Sequence, residues 1–93
     1  MPTFRSKPVD AVIDVRSKVE FWLGHLDGAL CVPVDQLPDG LAKHPHITPQ
    51  SKILVYCASG MRSASAAQIL KASGFANVVD GGGIGDARAD FTA

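Results

Sequence analysis

The segment ILVYCASGMRS, residues 53–63, joins an apolar run to the start of a helix-like stretch. Residues 53–56 suit a strand buried in a sheet, because both faces of such a strand contact other elements. Residues 63–73 carry Ile69 and Leu70 among small residues, and this pattern predicts a helix that lies close to the sheet. Cys57 therefore falls where a buried strand turns into a helix.

The position of Cys57 makes it a candidate nucleophile. Small residues follow it, so the chain can wrap around the sulfur, and the first backbone N–H groups of the helix then point toward that atom. These donors and the positive end of the helix favour a thiolate and a bound anion. The alternative is a buried thiol that ends a strand as a small apolar side chain. The predicted active-site loop consists of Ala58, Ser59, Gly60, Met61, Arg62 and Ser63.

The length of 93 residues predicts a single domain over residues 1–93. Nine Lys and Arg residues balance nine Asp and Glu residues, so no basic field favours nucleic acid or an acidic membrane surface as a partner. No apolar stretch approaches the roughly 20 residues of a membrane helix, and residues 1–8 lack the apolar centre of a signal peptide. We therefore expect a cytoplasmic protein, in which Cys31 is a packed thiol or, as the alternative, a resolving thiol.

Strand and helix patterns alternate along the chain. Ser17 would cap the first helix with Glu20 as its capping-box partner, Gly24 would end it, and Asp35 would cap the second. The glycine-rich residues from Gly81 onward allow no element prediction, apart from a helical turn over residues 86–91. The order predicts an α/β fold with a mainly parallel central sheet and helices on both faces. The predicted strands are residues 11–15, 29–32, 52–56 and 77–80, and the predicted helices are residues 17–23, 37–43 and 63–73.

Charged residues end the first predicted strand. Ligands of parallel sheets bind outside the carboxyl ends of the strands, so Asp14 and Arg16 are expected at the same edge as Cys57, as supporting residues. Arg62 is the fixed charge inside the loop. It would lower the pKa of the Cys57 thiol and attract an anion, or it would bind loop carbonyls or Asp14; both roles stay open.

Together these residues resemble a single-domain rhodanese, a sulfurtransferase, over about residues 9–83. Their joint occurrence in family order around one cysteine makes the resemblance specific. In two places the sequence departs from the family: residues 2–7 are a poor substitute for the usual first strand and helix, and no tryptophan follows Gly82. The matching pieces are Asp14-Val15-Arg16, Glu20-Phe21, residues 24–29, Pro33, Val55-Tyr56-Cys57, Gly60, Arg62-Ser63 and Asp80-Gly81-Gly82.

The resemblance implies persulfide chemistry at Cys57. The thiolate would attack the outer sulfur of a small anionic donor such as thiosulfate, release sulfite, and hold the sulfane sulfur until cyanide or a thiol takes it. Loop N–H groups would stabilise these charges without a general base, and no cofactor is expected. His44 and His46 have no cysteine partner nearby, so no metal site is expected either.

Three other roles remain open. The domain could carry a persulfide to a protein acceptor, which shares all the chemistry. It could be a cysteine phosphatase or arsenate reductase, although those enzymes have five residues between cysteine and arginine, and this loop has four, residues 58–61. It could also be a non-catalytic, rhodanese-like binding module.

Several other side chains are interpreted as structural. Arg16 and Glu20 would pair across the start of the first helix. His25 would bond to backbone, Trp22 would pack in the core, and Asp80 would act as a turn residue or orient the active loop.

Overall fold

The computed structural model describes all 93 residues and contains two sheets. The strands are β1 (Thr3–Phe4), β2 (Lys7–Pro8), β3 (Ala11–Asp14), β4 (Leu30–Cys31), β5 (Ile53–Cys57), β6 (Val78–Gly83) and β7 (Phe91–Thr92). The helices are α1 (Lys18–Leu23), α2 (Met61–Ala72) and α3 (Ile84–Asp90). The central sheet has the order β4-β3-β5-β6 with all neighbours parallel, and a small antiparallel sheet has the order β2-β1-β7.

Apolar side chains fill both faces of the central sheet, because successive residues of a strand point to opposite sides. Ile13 and Val55 belong to one core cluster, which includes Leu70 of α2. Leu54 belongs to a second cluster, which includes Ala87 of α3. The predicted parallel α/β fold with helices on both faces is therefore confirmed.

Helix α1 follows β3 and begins and ends as predicted. The Ser17 hydroxyl and the Glu20 carboxylate form a capping box, and α1 ends at Gly24. Phe21 packs against the second core cluster, but Trp22 is 82% exposed and Leu23 is 74% exposed. The prediction that Trp22 is a core residue is wrong, because α1 lies on the surface and buries no residue completely.

The second predicted helix is replaced by two 3₁₀ turns. These turns cover Val34–Gln36 and Asp39–Lys43, on either side of Pro38. A proline has no N–H to donate to the preceding turn, so a continuous α-helix through Pro38 is disfavoured. Leu41 in the second turn still reaches the core.

The two ends of the described chain pair with each other. Residues 2–7 stand where the family has its first strand and helix, and they form part of the β1–β2 hairpin. Phe4 of β1 lies opposite Phe91 of β7. The sequence predicts that the last strand stops at Asp80, but β6 continues through Gly83 and leads directly into α3. None of the three helices has the length and apolar character that crossing a membrane requires.

Candidate active site

Cys57 is the last residue of β5 and is only 1% exposed. It lies opposite Gly83 of β6, beyond an irregularity in the strand register. Gly60 then turns the chain into α2 with φ +104°, a left-handed value that favours glycine. The remaining loop residues surround this turn: Ala58, Ser59 and Met61 are exposed, Arg62 is half-buried and Ser63 is buried.

The sulfur of Cys57 accepts hydrogen bonds from its own loop. The backbone N–H of Gly60 lies 2.9 Å from Sγ. Burial is the largest single influence on the pKa of this thiol and raises it. Hydrogen bonds from the Ser63 hydroxyl and N–H, and from the N–H groups of Gly60 and Ser59, act in the opposite direction. Together they outweigh burial, so the pKa of Cys57 lies below its ordinary value.

The Ser63 hydroxyl is shared between the loop and the end of β6. Its Oγ lies 3.1 Å from the Gly60 carbonyl oxygen and 3.5 Å from the Gly82 carbonyl oxygen. A hydroxyl has one proton to donate, so when Ser63 donates to the Cys57 thiolate it no longer donates to either carbonyl oxygen. The hydroxyl can therefore follow the charge on the sulfur.

Arg62 forms a bidentate salt bridge with Glu20 of α1. Its Nη1 and Nη2 lie 2.7 Å and 2.9 Å from the two carboxylate oxygens. The Arg62 hydrogen bond lowers the pKa of Glu20 to about 2. Arg62 therefore binds neither of the partners expected from the sequence, which were loop carbonyls and Asp14. A charge next to the loop is present, but it is partly neutralised by Glu20.

Asp14 and Arg16 lie at the same edge of the sheet as Cys57, as expected, but they bind each other. Arg16 Nη2 lies 2.6 Å from the Asp14 carboxylate, and the two side chains are 8% and 0% exposed. Arg16 also donates to the Gly24 carbonyl oxygen at the end of α1. The predicted pairing of Arg16 with Glu20 is wrong, because Arg16 pairs with Asp14 and Glu20 pairs with Arg62. This buried pair ties β3 to α1.

The sequence of the chain matches the family model "Rhodanese-like domain" over residues 4–83. The chain belongs to the rhodanese-like domain family. The predicted resemblance is confirmed, and the match extends further toward the N-terminus than the expected residue 9.

Related proteins include longer chains. The rhodanese-like domain is 40% identical over 71 residues to a probable adenylyltransferase/sulfurtransferase, MoeZ, of Mycobacterium tuberculosis, covering 74% of this chain and 17% of the relative. It is 38% identical over 85 residues to a tRNA uridine(34) hydroxylase of an Enterobacter species, covering 85% of this chain and 24% of the relative. The chain therefore spans about a fifth of the length of these relatives.

Solved structures include rhodaneses of similar size. A rhodanese with anions from E. coli superimposes with a TM-score of 0.75 at 26% identity, over 88% of this chain and 95% of the other. The human single-domain sulfurtransferase TSTD1 gives a TM-score of 0.64 at 25% identity, over 73% of this chain and 70% of the other. The rhodanese-like domain thus has sulfurtransferases among its relatives.

Other predicted side-chain roles have mixed outcomes. His25 Nδ1 lies 2.8 Å from the Phe21 carbonyl oxygen, as predicted, and the two rings stack. Asp80 accepts the Gly82 N–H at 2.9 Å and so serves as a turn residue. Cys31 is half-buried and free, with its pKa raised by burial. No group of three or more His, Cys, Asp and Glu side chains in the structure could hold a metal ion.

Gly83 is a site residue that sequence reasoning missed. A Cβ at Gly83 would lie 2.6 Å from the Ala58 carbonyl oxygen, so only glycine lets β6 approach the cysteine loop this closely. A glycine in a strand often marks such a close backbone approach, and the run Gly81-Gly82-Gly83 was the available signal. The other missed role is that of Glu20: the sequence predicts its capping box and a pair with Arg16, but in the structure the capping-box carboxylate pairs with Arg62.

Proposed function

We propose that the domain is a sulfurtransferase that moves a sulfane sulfur through a persulfide on Cys57. The observation that carries the proposal is the hydrogen bond from the Gly60 N–H to Sγ. Together with neighbouring donors it lowers the pKa of Cys57, which increases the fraction of reactive thiolate near neutral pH. Relatives named as sulfurtransferases support the same reaction class.

The reaction proceeds in two displacements. In the first, the Cys57 thiolate attacks the outer sulfur of thiosulfate, a new S–S bond forms, and the donor S–S bond breaks with its electron pair leaving on sulfite. In the second, cyanide or a thiolate attacks the outer sulfur of the persulfide. The Cys57 thiolate then leaves with the electron pair of the protein S–S bond. Electrons balance between donor and acceptor, so this proposal includes no cofactor.

The loop donors stabilise the inner sulfur when it carries charge. Sγ is negatively charged before the first displacement and again as the second one ends. N–H groups that are already oriented toward this atom need no rearrangement at either stage.

Free Cys31 and Cys57 thiols are consistent with a reducing compartment, which supports a cytoplasmic location.

A persulfide assay separates this proposal from phosphatase chemistry. Incubation with thiosulfate should add one sulfur atom to a peptide that contains Cys57, and cyanide should remove it. An aryl phosphate should be hydrolysed no faster than in buffer, because a loop of four residues is shorter than the five-residue loop of those enzymes. Phosphatase turnover that requires Cys57, without a persulfide, would overturn the assignment.

A protein acceptor is the second candidate, favoured by exposed apolar side chains near the loop. Met61 in the loop is 80% exposed, and Val19, Trp22 and Leu23 of α1 are between 67% and 82% exposed. Helix α1 is tied to the loop by the Glu20–Arg62 pair. Contiguous patches of exposed apolar side chains are typical of protein interaction sites.

Labelled sulfur distinguishes protein and small-molecule acceptors. Domain loaded with ³⁵S persulfide should pass label to a cellular protein, and Leu23→Ser should reduce that transfer while thiocyanate formation with cyanide is unchanged. Equal transfer by wild type and Leu23→Ser would remove the argument from the apolar surface.

A further inference from the structure

A cavity of about 500 Å³ lies at the end of the central sheet that is remote from Cys57. Ile53, the first residue of β5, and Val78, the first residue of β6, line it. Cys57 ends the same five-residue strand, so the two sites are separated by roughly 13 Å of β5. The cavity is therefore distinct from the cysteine loop.

The rim of the cavity is cationic. Arg5, Lys7, Lys52 and Lys71 line it, and no carboxylate does. Arg5 is paired with Asp90 at 3.2 Å, whereas the three lysine side chains form no ion pair. Four of the nine Lys and Arg residues of a chain without net charge thus surround one cavity. Such a local concentration of positive charge attracts anions.

The floor of the cavity is apolar. Phe4, Val9, Ile53 and Val78 are each less than 8% exposed and contribute to the walls, and Val79 at the edge is 41% exposed. An apolar lining with a few polar groups is the usual composition of small-molecule sites, whose volumes range over about 300–1,000 Å³.

Arg5 is held in place at the tip of the β1–β2 hairpin. Its guanidinium lies 4.8 Å from the centre of the Phe4 ring, and the backbone N–H of Arg5 donates to the Asp90 carbonyl oxygen at 2.9 Å. Arg5 and Ser6 both have positive φ, +50° and +65°, where a two-residue hairpin turn favours Asn or Gly. The hairpin therefore presents a fixed cation in spite of an unfavourable backbone conformation.

We propose that this cavity binds a small organic anion whose apolar, ring-sized body lies on the floor and whose phosphate-type group is bound by the lysines. Three unpaired ammonium groups match a doubly charged head group, and the floor offers contact only to a ligand with an apolar body. The cavity volume of about 500 Å³ falls in the range of small-molecule sites.

The proposal is tested with one probe and its two halves. The probe is 1-naphthyl phosphate; 1-naphthol supplies the body alone and inorganic phosphate supplies the head group alone. In ¹H–¹⁵N spectra of the wild-type domain, the probe should shift the amide signals of Ile53, Val78 and Val79 with Kd below about 1 mM at low salt. Each half should bind at least tenfold more weakly, and added salt should weaken binding of the probe.

Charge reversal locates the site. Lys52→Glu and Lys71→Glu should each weaken binding of 1-naphthyl phosphate at least tenfold, and Lys7→Glu provides an independent third variant on the hairpin. Lys43→Glu, outside the cavity, is the matched control and should bind as the wild type does. The proposal is overturned by the absence of shifts, by shifts confined to residues 57–63, by an equal effect of Lys43→Glu, or by binding of an acidic peptide but not of the probe.

Discussion

The two ends of the central sheet offer different kinds of groups to a negative charge. At the carboxyl ends of the strands, Arg16 and Arg62 are both ion-paired, and the donor in contact with the Cys57 sulfur is a backbone N–H. At the amino ends, Lys52 and Lys71 lie unpaired on the rim of an apolar cavity. Backbone donors hold a charge at one fixed atom, whereas flexible lysines suit a ligand that arrives from solution.

Added salt should affect the two ends of the sheet to different extents. The Gly60 N–H acts on a sulfur that is 1% exposed, so mobile ions screen this contact weakly. The lysines at the other end are exposed, and ions screen them strongly. The reactivity of Cys57 and the anion binding of the cavity should therefore respond to salt to very different extents.

Removing the Cys57 sulfur gives the largest expected effect. It should abolish sulfur transfer at one end of the sheet and leave anion binding at the other end unchanged. Cys57→Ser should lower sulfite release from thiosulfate by at least about a thousandfold, because a hydroxyl does not supply a low-pKa nucleophile. Cys31→Ser should keep most of the activity, and both variants should fold and bind the anionic probe as the wild type does. Retained turnover in the Cys57 variant together with loss in the Cys31 variant would reverse the two roles.

Gly83→Ala tests whether the close approach of β6 shapes the cysteine loop. The added Cβ would lie 2.6 Å from the Ala58 carbonyl oxygen, so the loop must move. We expect a loss of stability of about 1–3 kcal/mol, and movement of the N–H groups away from the sulfur should raise the pH at which iodoacetamide alkylates Cys57.

Gly85→Ala is the matched control for this variant. A Cβ at Gly85 meets no atom within 4 Å, and the residue lies in α3, so the substitution should be neutral or stabilising by up to about 1 kcal/mol. An unchanged alkylation profile in Gly83→Ala would show that the loop keeps its shape without this contact.

Variants of the Arg62–Glu20 pair sharpen the contrast between side-chain and backbone charge. Arg62→Ala should raise the pKa of Cys57 in an alkylation profile, and Arg62→Lys should recover part of the shift. Glu20→Gln should lower the pKa of the Cys57 thiol, because it leaves the positive charge of Arg62 unopposed. Each shift should stay below about one unit, or 1.4 kcal/mol, since Glu20 and water already offset much of this charge. If Arg62→Ala changes only thermal stability, the N–H groups and the Ser63 hydroxyl activate the thiol without the arginine.

The smallest expected effect is acid sensitivity at the same pair. The pKa of Glu20 falls from an ordinary 4.5 to about 2 in the folded chain, so its contribution to stability is present above pH 4.5 and is lost as pH falls toward 2. Both side chains are about one-third exposed, which limits the contribution to less than about 1 kcal/mol. The free energy of unfolding, measured from pH 5 to pH 2, should fall less in Glu20→Gln than in the wild type.

The sequence was sufficient where local pattern decides structure. The short apolar run of residues 53–56 forms a buried strand, and Ser17 with Glu20 caps a helix using only neighbours in the chain. The placement of Cys57 at a strand–helix junction followed from these patterns. Its catalytic role, and the roles of its loop, remain proposals for the experiments above.

The sequence was insufficient where contacts join distant segments. The partner of Arg62 depends on where α1 lies relative to α2, and no spacing rule links residues 42 positions apart. Trp22 was assigned to the core by residue type, although the position of α1 leaves it in water. Gly83 looked like part of a flexible tail, because its close contact with Ala58 exists only after β6 pairs with β5.

Helix α1 also carries an intrinsic fluorescent probe. This helix has six residues and no buried side chain, so it depends on outside contacts such as the Glu20–Arg62 pair. Trp22, the single tryptophan of the chain, lies on it and is 82% exposed. Any change that breaks the Glu20–Arg62 pair removes one of these contacts and loosens the turn that carries the indole. Fluorescence emission and acrylamide quenching of Trp22 would then follow the loop in real time, without an attached dye.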